Sequence, residues 1–195
     1  MNPAFSICVY CGSRPGTDPA FAAVARSVGD WIGRHHGQLV YGGGRNGLMG
    51  IVADATIASG GRVVGIIPQA LVEREWAHTN CTELHVVNTM HERKQMMAER
   101  CDAFLALPGG IGTFEEFFEA WTWHQLGYHN KPVGLLNAGG YYDGLLAFLQ
   151  STVKQGFLSD WQMDILKIGA DPGVLLQELV EAAGMNASSS ALDRI

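Results

Sequence analysis

Leu107-Pro108-Gly109-Gly110-Ile111-Gly112-Thr113-Phe114-Glu115-Glu116 is the stretch of sequence that decides the fold. It follows a short apolar run, 104–107, with the composition of a buried strand, and it leads into residues 114–126, whose apolar side chains recur at helical spacing. A strand, a glycine turn and a helix N-terminus form a site for an anion, because backbone N–H groups can approach a phosphate closely there. Glu115 and Glu116 stand beside this site, which indicates chemistry on a phosphorylated ligand rather than phosphate binding alone.

Strand and helix patterns alternate along the chain. Predicted strands cover 5–10, 38–41, 62–67, 83–87, 104–107 and 132–136, and predicted helices cover 19–36, 47–59, 90–101, 114–126, 142–155 and 172–183. This alternation is typical of a mostly parallel sheet with helices on both faces, so we predict a Rossmann-like, three-layer α/β domain. We expect one nucleotide-binding domain over 1–185 and a disordered, Ser- and Ala-rich tail over 186–195.

The composition excludes several classes of protein. The chain has 195 residues and a net charge of −6, which disfavours binding to nucleic acid or to an anionic membrane. No apolar stretch approaches the ~20 residues of a membrane span. The N-terminal residues 1–5 lack the basic region and long apolar core of a signal peptide. We therefore expect a cytoplasmic protein whose partner is a small molecule.

Cysteine and histidine positions predict no metal site. Cys8 and Cys11 form a C-x-x-C pattern, but on a strand the two side chains point to opposite faces, and no second pair completes a zinc site. His91 and His124 lie in predicted helices without metal-ligand spacing. The sequence therefore implies neither a metal nor another cofactor.

A second glycine loop, Gly42 to Gly47, matches the dinucleotide-binding pattern G-x-G-x-x-G. A dinucleotide site also needs an acidic residue at the end of the next strand, and here that strand ends Ile66-Ile67-Pro68-Gln69. We therefore interpret Gly43 and Gly44 as a second backbone wall for a mononucleotide. The loops at 12–13, 42–47 and 109–113 all end strands and are expected to meet in one crevice.

The motifs together resemble one family. They are Pro108-Gly109-Gly110-x-Gly112-Thr113-x-x-Glu116, Tyr41-Gly42-Gly43-Gly44 with Gly47-Leu48-Met49-Gly50, Met90-His91-x-Arg93-Lys94, Trp121-x-Trp123-x-Gln125-Leu126-Gly127, and 131–137. This set is similar to the Lonely Guy family of cytokinin riboside 5′-monophosphate phosphoribohydrolases, long mislabelled as lysine decarboxylases. The similarity extends over about Ile7 to Leu158.

The resemblance implies an N-glycosidase that hydrolyses a nucleoside 5′-monophosphate to free base and ribose 5-phosphate. Expected substrates are N6-modified adenosine monophosphates, with AMP itself also possible. The resemblance makes Glu116 the catalytic carboxylate and Arg93 its partner. Phosphate binding is expected from Ser13, Gly43, Gly44, Gly109, Gly110, Gly112 and Thr113, and contacts with base or ribose from Met90, Lys94 and Glu115.

Several alternatives stay open at the level of sequence. Thr113-x-x-Glu116 also fits a helix capping box, with Thr113 as N-cap. A non-catalytic nucleotide-binding or cofactor-carrier protein could share the fold, although it would not need both Arg93 and Glu116. A lysine decarboxylase needs pyridoxal phosphate on a lysine, and the four lysines are predicted in helices or loops: Lys94, Lys131, Lys154 and Lys167.

Assembly is predicted from surplus apolar surface. The helix 114–126 carries apolar residues at 114, 117, 118, 121, 123 and 126, a wider stripe than one core face needs. The adjacent pair Met96 and Met97 adds adaptable apolar surface. Both features, and the family resemblance, predict a homodimer.

Overall fold

The structure is a computed structural model that describes residues 2–72 and 77–187. Its centre is a seven-stranded sheet in the order β4-β3-β2-β1-β5-β6-β7, and every pair of neighbouring strands is parallel. The strands are β1 (Ser6–Tyr10), β2 (Gln38–Tyr41), β3 (Arg62–Pro68), β4 (Glu83–Val87), β5 (Ala103–Ala106), β6 (Val133–Leu136) and β7 (Leu166–Gly169).

Helices cover both faces of this sheet. They are α1 (Pro19–Arg34), α2 (Gly47–Ala58), α3 (Gln69–Val72), α4 (Met90–Glu99), α5 (Ile111–Gln125), α6 (Asp143–Lys154), α7 (Asp160–Asp164) and α8 (Pro172–Ala182), with a 3-10 turn at Ala138–Gly140. The helices α1, α2 and α8 pack on one face, and α4, α5 and α6 pack on the other. The predicted three-layer Rossmann-like architecture is therefore confirmed.

Alternation along the buried strands divides the core into two clusters. In β1, Ile7 and Val9 face the cluster under α1, whereas Cys8 and Tyr10 face the cluster under α4 and α5. Cys8 and Cys11 therefore lie in opposite clusters, as the strand pattern predicts, and both are free. Burial raises the pKa of both thiols, so neither favours the reactive thiolate form.

The structure contains three short helices and strands that the sequence did not predict, namely α3, α7 and β7. The strand β7 pairs only with β6 at the edge of the sheet, and its Lys167 and Ile168 are exposed, so it lacks the apolar run of a buried strand. Lys167 thus lies in a strand rather than in a helix or loop. Of the predicted tail 186–195, residues 188–195 lie outside the described residues. Within the described part of the chain, no helix is long and apolar enough to cross a membrane.

Most of the predicted apolar stripe of α5 serves the core of this chain, whereas Leu126 at its end is exposed. Phe117 and Trp121 are buried, and Phe114 and Phe118 pack against the same cluster. Met97 is fully buried there as well, so the interpretation as apolar surface is wrong for Met97, while Met96 is half-buried against the same cluster. The stripe looks too wide from sequence because α5 contacts both the sheet and its neighbouring helices.

The strand order reverses between β1 and β5. The chain adds β2, β3 and β4 on one side of β1 and then returns to add β5, β6 and β7 on the other. The loops that follow β1 and β5 lead to helices on opposite faces of the sheet, α1 and α5, and leave a crevice at the carboxyl ends of the strands, which is where open parallel sheets bind ligands.

Candidate active site

A cleft of about 610 Å³ opens at the carboxyl ends of β1 and β5. Backbone hydrogen bonds join the loops that surround it: Gly12 N donates to Pro108 O at 3.1 Å, and Leu48 N donates to Gly12 O at 3.0 Å. The loops after β1 and β5 and the start of α2 therefore form one connected rim. The predicted meeting of three glycine loops holds for 12–13 and 109–113, whereas no residue of 42–47 is among those that line the cleft.

Most of the predicted site residues line this cleft. They are Ser13, Met90, Arg93, Gly109, Gly110, Gly112, Thr113, Glu115 and Glu116. Gly43, Gly44 and Lys94 do not line it. Gly43 O accepts a hydrogen bond from His78 N at 2.9 Å, and Gly44 forms an isolated bridge with Ala77. These two glycines hold the segment 77–78 in place rather than facing the cleft.

Gly42, the first glycine of the loop after β2, lies against Arg93. A side chain at Gly42 would collide with the guanidinium of Arg93, which passes directly over the backbone there. Sequence analysis missed this role because Arg93 lies far along the chain, in α4.

The N-terminus of α5 forms an anion site. The helix begins at Ile111 with Gly110 as N-cap, and no side chain caps it. The first N–H groups of the helix therefore lack helical acceptors and carry the positive end of the dipole. Gly110 and Gly112 have open space where a side chain would stand, so their backbone is accessible to a ligand.

The capping-box interpretation of Thr113 and Glu116 is wrong. Thr113 is buried inside the first turn of α5, because the helix starts earlier than its glycines suggest. The chain does have such a box at the start of α4: Thr89 Oγ1 accepts from Glu92 N at 3.1 Å, and Glu92 Oε2 accepts from Thr89 N at 3.2 Å. The same T-x-x-E pattern, read at Thr89, would have found it.

Arg93 and Glu116 form an ion pair at the inner wall of the cleft. Arg93 Nη1 donates to Glu116 Oε1 at 2.5 Å, and Arg93 Nε donates to Ile66 O at 3.2 Å. The two side chains are only 8% and 11% exposed. The guanidinium is thereby anchored to β3 and holds the carboxylate of α5 in one orientation.

The electrostatic environment of Glu116 raises its pKa, although the ion pair with Arg93 favours the ionised form. Burial raises its pKa above the ordinary glutamate value, and the neighbouring Glu115 adds to that rise. The charges of Arg93 and Lys94 act in the opposite direction without cancelling the rise. A carboxyl group of this kind can exchange a proton nearer to neutral pH than an exposed glutamate can.

Lys94 points away from the cleft and toward α5. Its Nζ donates to Glu115 Oε1 at 2.5 Å and to Glu119 Oε1 at 2.9 Å. Adjacent cations of α4, Arg93 and Lys94, thus pair with adjacent carboxylates of α5, Glu116 and Glu115.

Two further hydrogen-bonding side chains of the cleft were missed from sequence, along with several apolar ones. Arg14, in the loop after β1, is exposed and lines the cleft. Tyr141 lines it too, and its hydroxyl donates to Gly109 O at 2.6 Å. The adjacent Tyr142 donates to Leu107 O at 2.6 Å, so two tyrosines brace the glycine loop. The position of Arg14 directly after Gly12-Ser13 was a usable signal; the contacts of Tyr141 depend on tertiary structure.

Known proteins share this sequence pattern. The sequence model of a family described as "possible lysine decarboxylase" matches residues 49–179. A probable cytokinin riboside 5′-monophosphate phosphoribohydrolase from Oryza sativa subsp. japonica is 48% identical over 183 residues, 93% of this chain and 79% of that protein. A cytokinin riboside 5′-monophosphate phosphoribohydrolase from Rhodococcoides fascians is 50% identical over 155 residues, 79% of this chain and 78% of that protein. The chain belongs to the Lonely Guy family.

Solved structures resemble this Lonely Guy chain in fold. The molybdenum cofactor carrier protein of Chlamydomonas reinhardtii superposes with a TM-score of 0.70 at 18% identity, covering 94% of this chain and 99% of that one. The molybdenum cofactor binding protein of Rippkaea orientalis gives 0.68 at 21% identity, covering 93% and 97%. These likenesses extend to the architecture alone.

The residues of this Lonely Guy chain do not fit the pyridoxal phosphate that the decarboxylase description implies. That group needs a lysine for covalent attachment, and no lysine is among the residues that line the cleft. Lys94 is held by two carboxylates, and Lys131 Nζ donates to Ala98 O at 2.5 Å. Lys154 and Lys167 lie in α6 and β7. Within 2–72 and 77–187, no cluster of metal-binding side chains is present.

Proposed function

We propose that this protein hydrolyses the N-glycosidic bond of a nucleoside 5′-monophosphate and releases free base and ribose 5-phosphate. The observation that carries the proposal is the buried pair of Arg93 and Glu116 beside an uncapped helix N-terminus. A site that only bound phosphate would have no use for a carboxylate there. The names of the sequence relatives support the same activity.

The glycine loop would hold the 5′-phosphate. Gly109, Gly110, Gly112 and Thr113, the core of the P-G-G-x-G-T-x-x-E motif, would direct backbone donors at it. Ser13 would donate a hydroxyl. Arg14 would supply a positive charge, because Arg93, the other arginine among the described residues of the cleft, is already neutralised by its ion pair. Binding energy from the phosphate then orients the ribose for reaction.

Glu116 would act at the anomeric carbon. As the bond between C1′ and the base nitrogen breaks, positive charge develops on the ribose, and an ionised carboxylate stabilises that charge. The water oxygen bonds to C1′ and gives a proton to the carboxylate, and the departing base nitrogen takes up a proton, so that free base and ribose 5-phosphate result. Arg93 would fix the orientation of this carboxylate. Met90 and Glu115 line the same cleft and would contact the base or ribose. The scheme requires no metal and no cofactor.

N6-modified adenosine monophosphates, the cytokinin riboside monophosphates, are the favoured substrates, and AMP is the simpler candidate. The rival function is that of a non-catalytic nucleotide or cofactor carrier. The molybdenum cofactor carrier protein of Chlamydomonas reinhardtii has a similar fold. The ion pair of Arg93 with Glu116 favours the enzyme.

A panel of substrates tests the proposal. The protein is incubated with isopentenyl-AMP, AMP, and the corresponding nucleosides, and free base is measured by chromatography. We expect the monophosphates to be cleaved with a far higher kcat/KM than the nucleosides, because phosphate binding contributes to the transition state. Equal turnover of AMP and adenosine, or no turnover of any nucleotide, would refute it. Absorbance of bound pyridoxal phosphate with release of CO2 from lysine would instead favour the decarboxylase.

We further propose a homodimer in the cytoplasm. The free cysteines Cys8, Cys11, Cys81 and Cys101 agree with a reducing compartment. Exposed apolar side chains remain at the end of α5 and just after it, at Leu126 and Tyr128. These offer a surface for a second copy.

A further inference from the structure

Glu115 stands in an unfavourable place for a protein that binds a phosphate. Its side chain is 51% exposed and lines the same cleft as the N-terminus of α5. An unpaired carboxylate there would repel a phosphate dianion. Glu116 avoids this problem because Arg93 neutralises it. Glu115 therefore needs another cation nearby to offset its negative charge.

Lys94 is placed to be that cation. Its side chain is only 8% exposed, and its Nζ lies 2.5 Å from Glu115 Oε1 and 2.9 Å from Glu119 Oε1. Burial alone would lower the pKa of Lys94, but its hydrogen bonds with the two glutamates outweigh that effect and raise the pKa. The ammonium group is therefore charged at neutral pH.

The geometry points to Lys94 as a positioning residue: it pairs with Glu115 and Glu119, fixes α5 against α4, and offsets the charge of Glu115 so that a phosphate can bind beside that carboxylate. It does not touch the substrate, since it lies outside the lining of the cleft. The inference rests on the proposed function for its substrate, but it concerns phosphate affinity, which can be measured without turnover.

Isothermal titration with ribose 5-phosphate provides the test. We expect Lys94→Met to weaken its affinity by about tenfold, because the freed charge of Glu115 repels the dianion. Lys94→Arg keeps the charge and should keep most of the affinity. Adenine, which has no phosphate, should bind Lys94→Met as it binds the wild type.

The double variant Lys94→Met/Glu115→Gln removes the repelling charge together with its partner. It should regain most of the lost affinity for ribose 5-phosphate. A purely structural role for Lys94 predicts instead that adenine and ribose 5-phosphate lose affinity together and that Glu115→Gln restores neither. That result, or an unchanged affinity of Lys94→Met for ribose 5-phosphate, would overturn the inference.

Arg62→Met is the matched control. Arg62 Nη2 pairs with Glu83 Oε1 at 2.6 Å between β3 and β4, and neither residue lines the cleft. Loss of this ion pair should leave both affinities unchanged. If no nucleotide is cleaved by the wild type but the pattern of affinities holds, the proposed function fails and the role of Lys94 stands. If nucleotides are cleaved and the pattern is absent, only the role of Lys94 fails.

Discussion

At the scale of the residue, the proposed chemistry depends on one carboxyl group, that of Glu116. Glu116→Gln keeps an amide oxygen that can accept the hydrogen bond from Arg93, so we expect the variant to fold. It loses both the negative charge and the basicity, and kcat should fall by on the order of a hundredfold or more. Release of base from AMP, measured per folded molecule, checks this. Arg93→Ala should also lose activity, and the double variant should lose less than the sum of the two effects. Full turnover by Glu116→Gln would remove Glu116 from the mechanism.

The pH profile gives a second prediction for the same residue. If ionised Glu116 is required, kcat/KM falls as the pH drops through its pKa. Burial raises that pKa, so the acidic limb should lie above the ordinary value of about 4.3. The charged groups near Glu116 are Arg93 and Lys94 of α4 and Glu115 of α5. The ionisable groups Cys8 and Tyr10 of β1, and Cys11 directly after it, lie behind Glu116.

Glu115→Gln tests this assignment directly. Removing that negative charge relieves a cause of the raised pKa, so the acidic limb should move to lower pH. A limb that stays in place in Glu115→Gln, or one that persists unchanged in the residual activity of Glu116→Gln, would assign the titration to another group.

Sequence reasoning at this scale reached the residues that share a local motif. Glu115, Glu116 and the glycines of the anion site lie within one short segment, and Arg93 came from the family pattern. The roles of Gly42 and Tyr141 could not be found, because each depends on a contact between distant segments. Lys94 was predicted to contact the base or ribose because it directly follows Arg93 in the sequence. The sequence does not show that Arg93 lines the cleft while Lys94 points toward α5.

At the scale of the element, the loop after β2 and the helix α4 must fit together. Gly42→Ala would place a methyl group where the guanidinium of Arg93 lies. Because Arg93 is buried and held by Ile66 O, we expect the variant to displace it and to lose at least tenfold in kcat, with lower stability. Gly144→Ala in α6 is the control, since its new side chain meets open space and alanine favours a helix. Wild-type kcat in Gly42→Ala would show that the guanidinium can move without loss of function.

The elements themselves were predicted wherever the apolar pattern was long enough. All six predicted strands are present as β1 to β6, and the long helices appear within a few residues of their predicted bounds. The edge strand β7 and the short helices α3 and α7 have too few buried residues to give a period. The start of α5 was placed late because glycine is a poor helix former, yet Gly112 lies in its first turn. An apolar pattern in the sequence reflects burial, and these segments are too little buried to produce one.

At the scale of the whole molecule, most of the apolar surface that suggested a dimer belongs to the chain's own core. What remains at the end of α5 is Leu126, 63% exposed, and the nearby Tyr128, 76% exposed. A second copy that packs on these side chains would remove them from water, which is the main driving force for such association. We therefore place the proposed dimer contact here, on the α4 and α5 face of the sheet.

Light scattering at micromolar concentration should give the mass of a dimer for the wild type. Leu126→Asp and Tyr128→Asp introduce a charge on the proposed contact, and each should shift the mass toward the monomer because burying an unpaired carboxylate is costly. Val174→Asp is the control: Val174 is 60% exposed but lies in α8, on the opposite face of the sheet, and its variant should stay dimeric. A monomeric wild type would refute the dimer itself. A dimer that survives both substitutions near α5 but dissociates in Val174→Asp would place the contact on the other face.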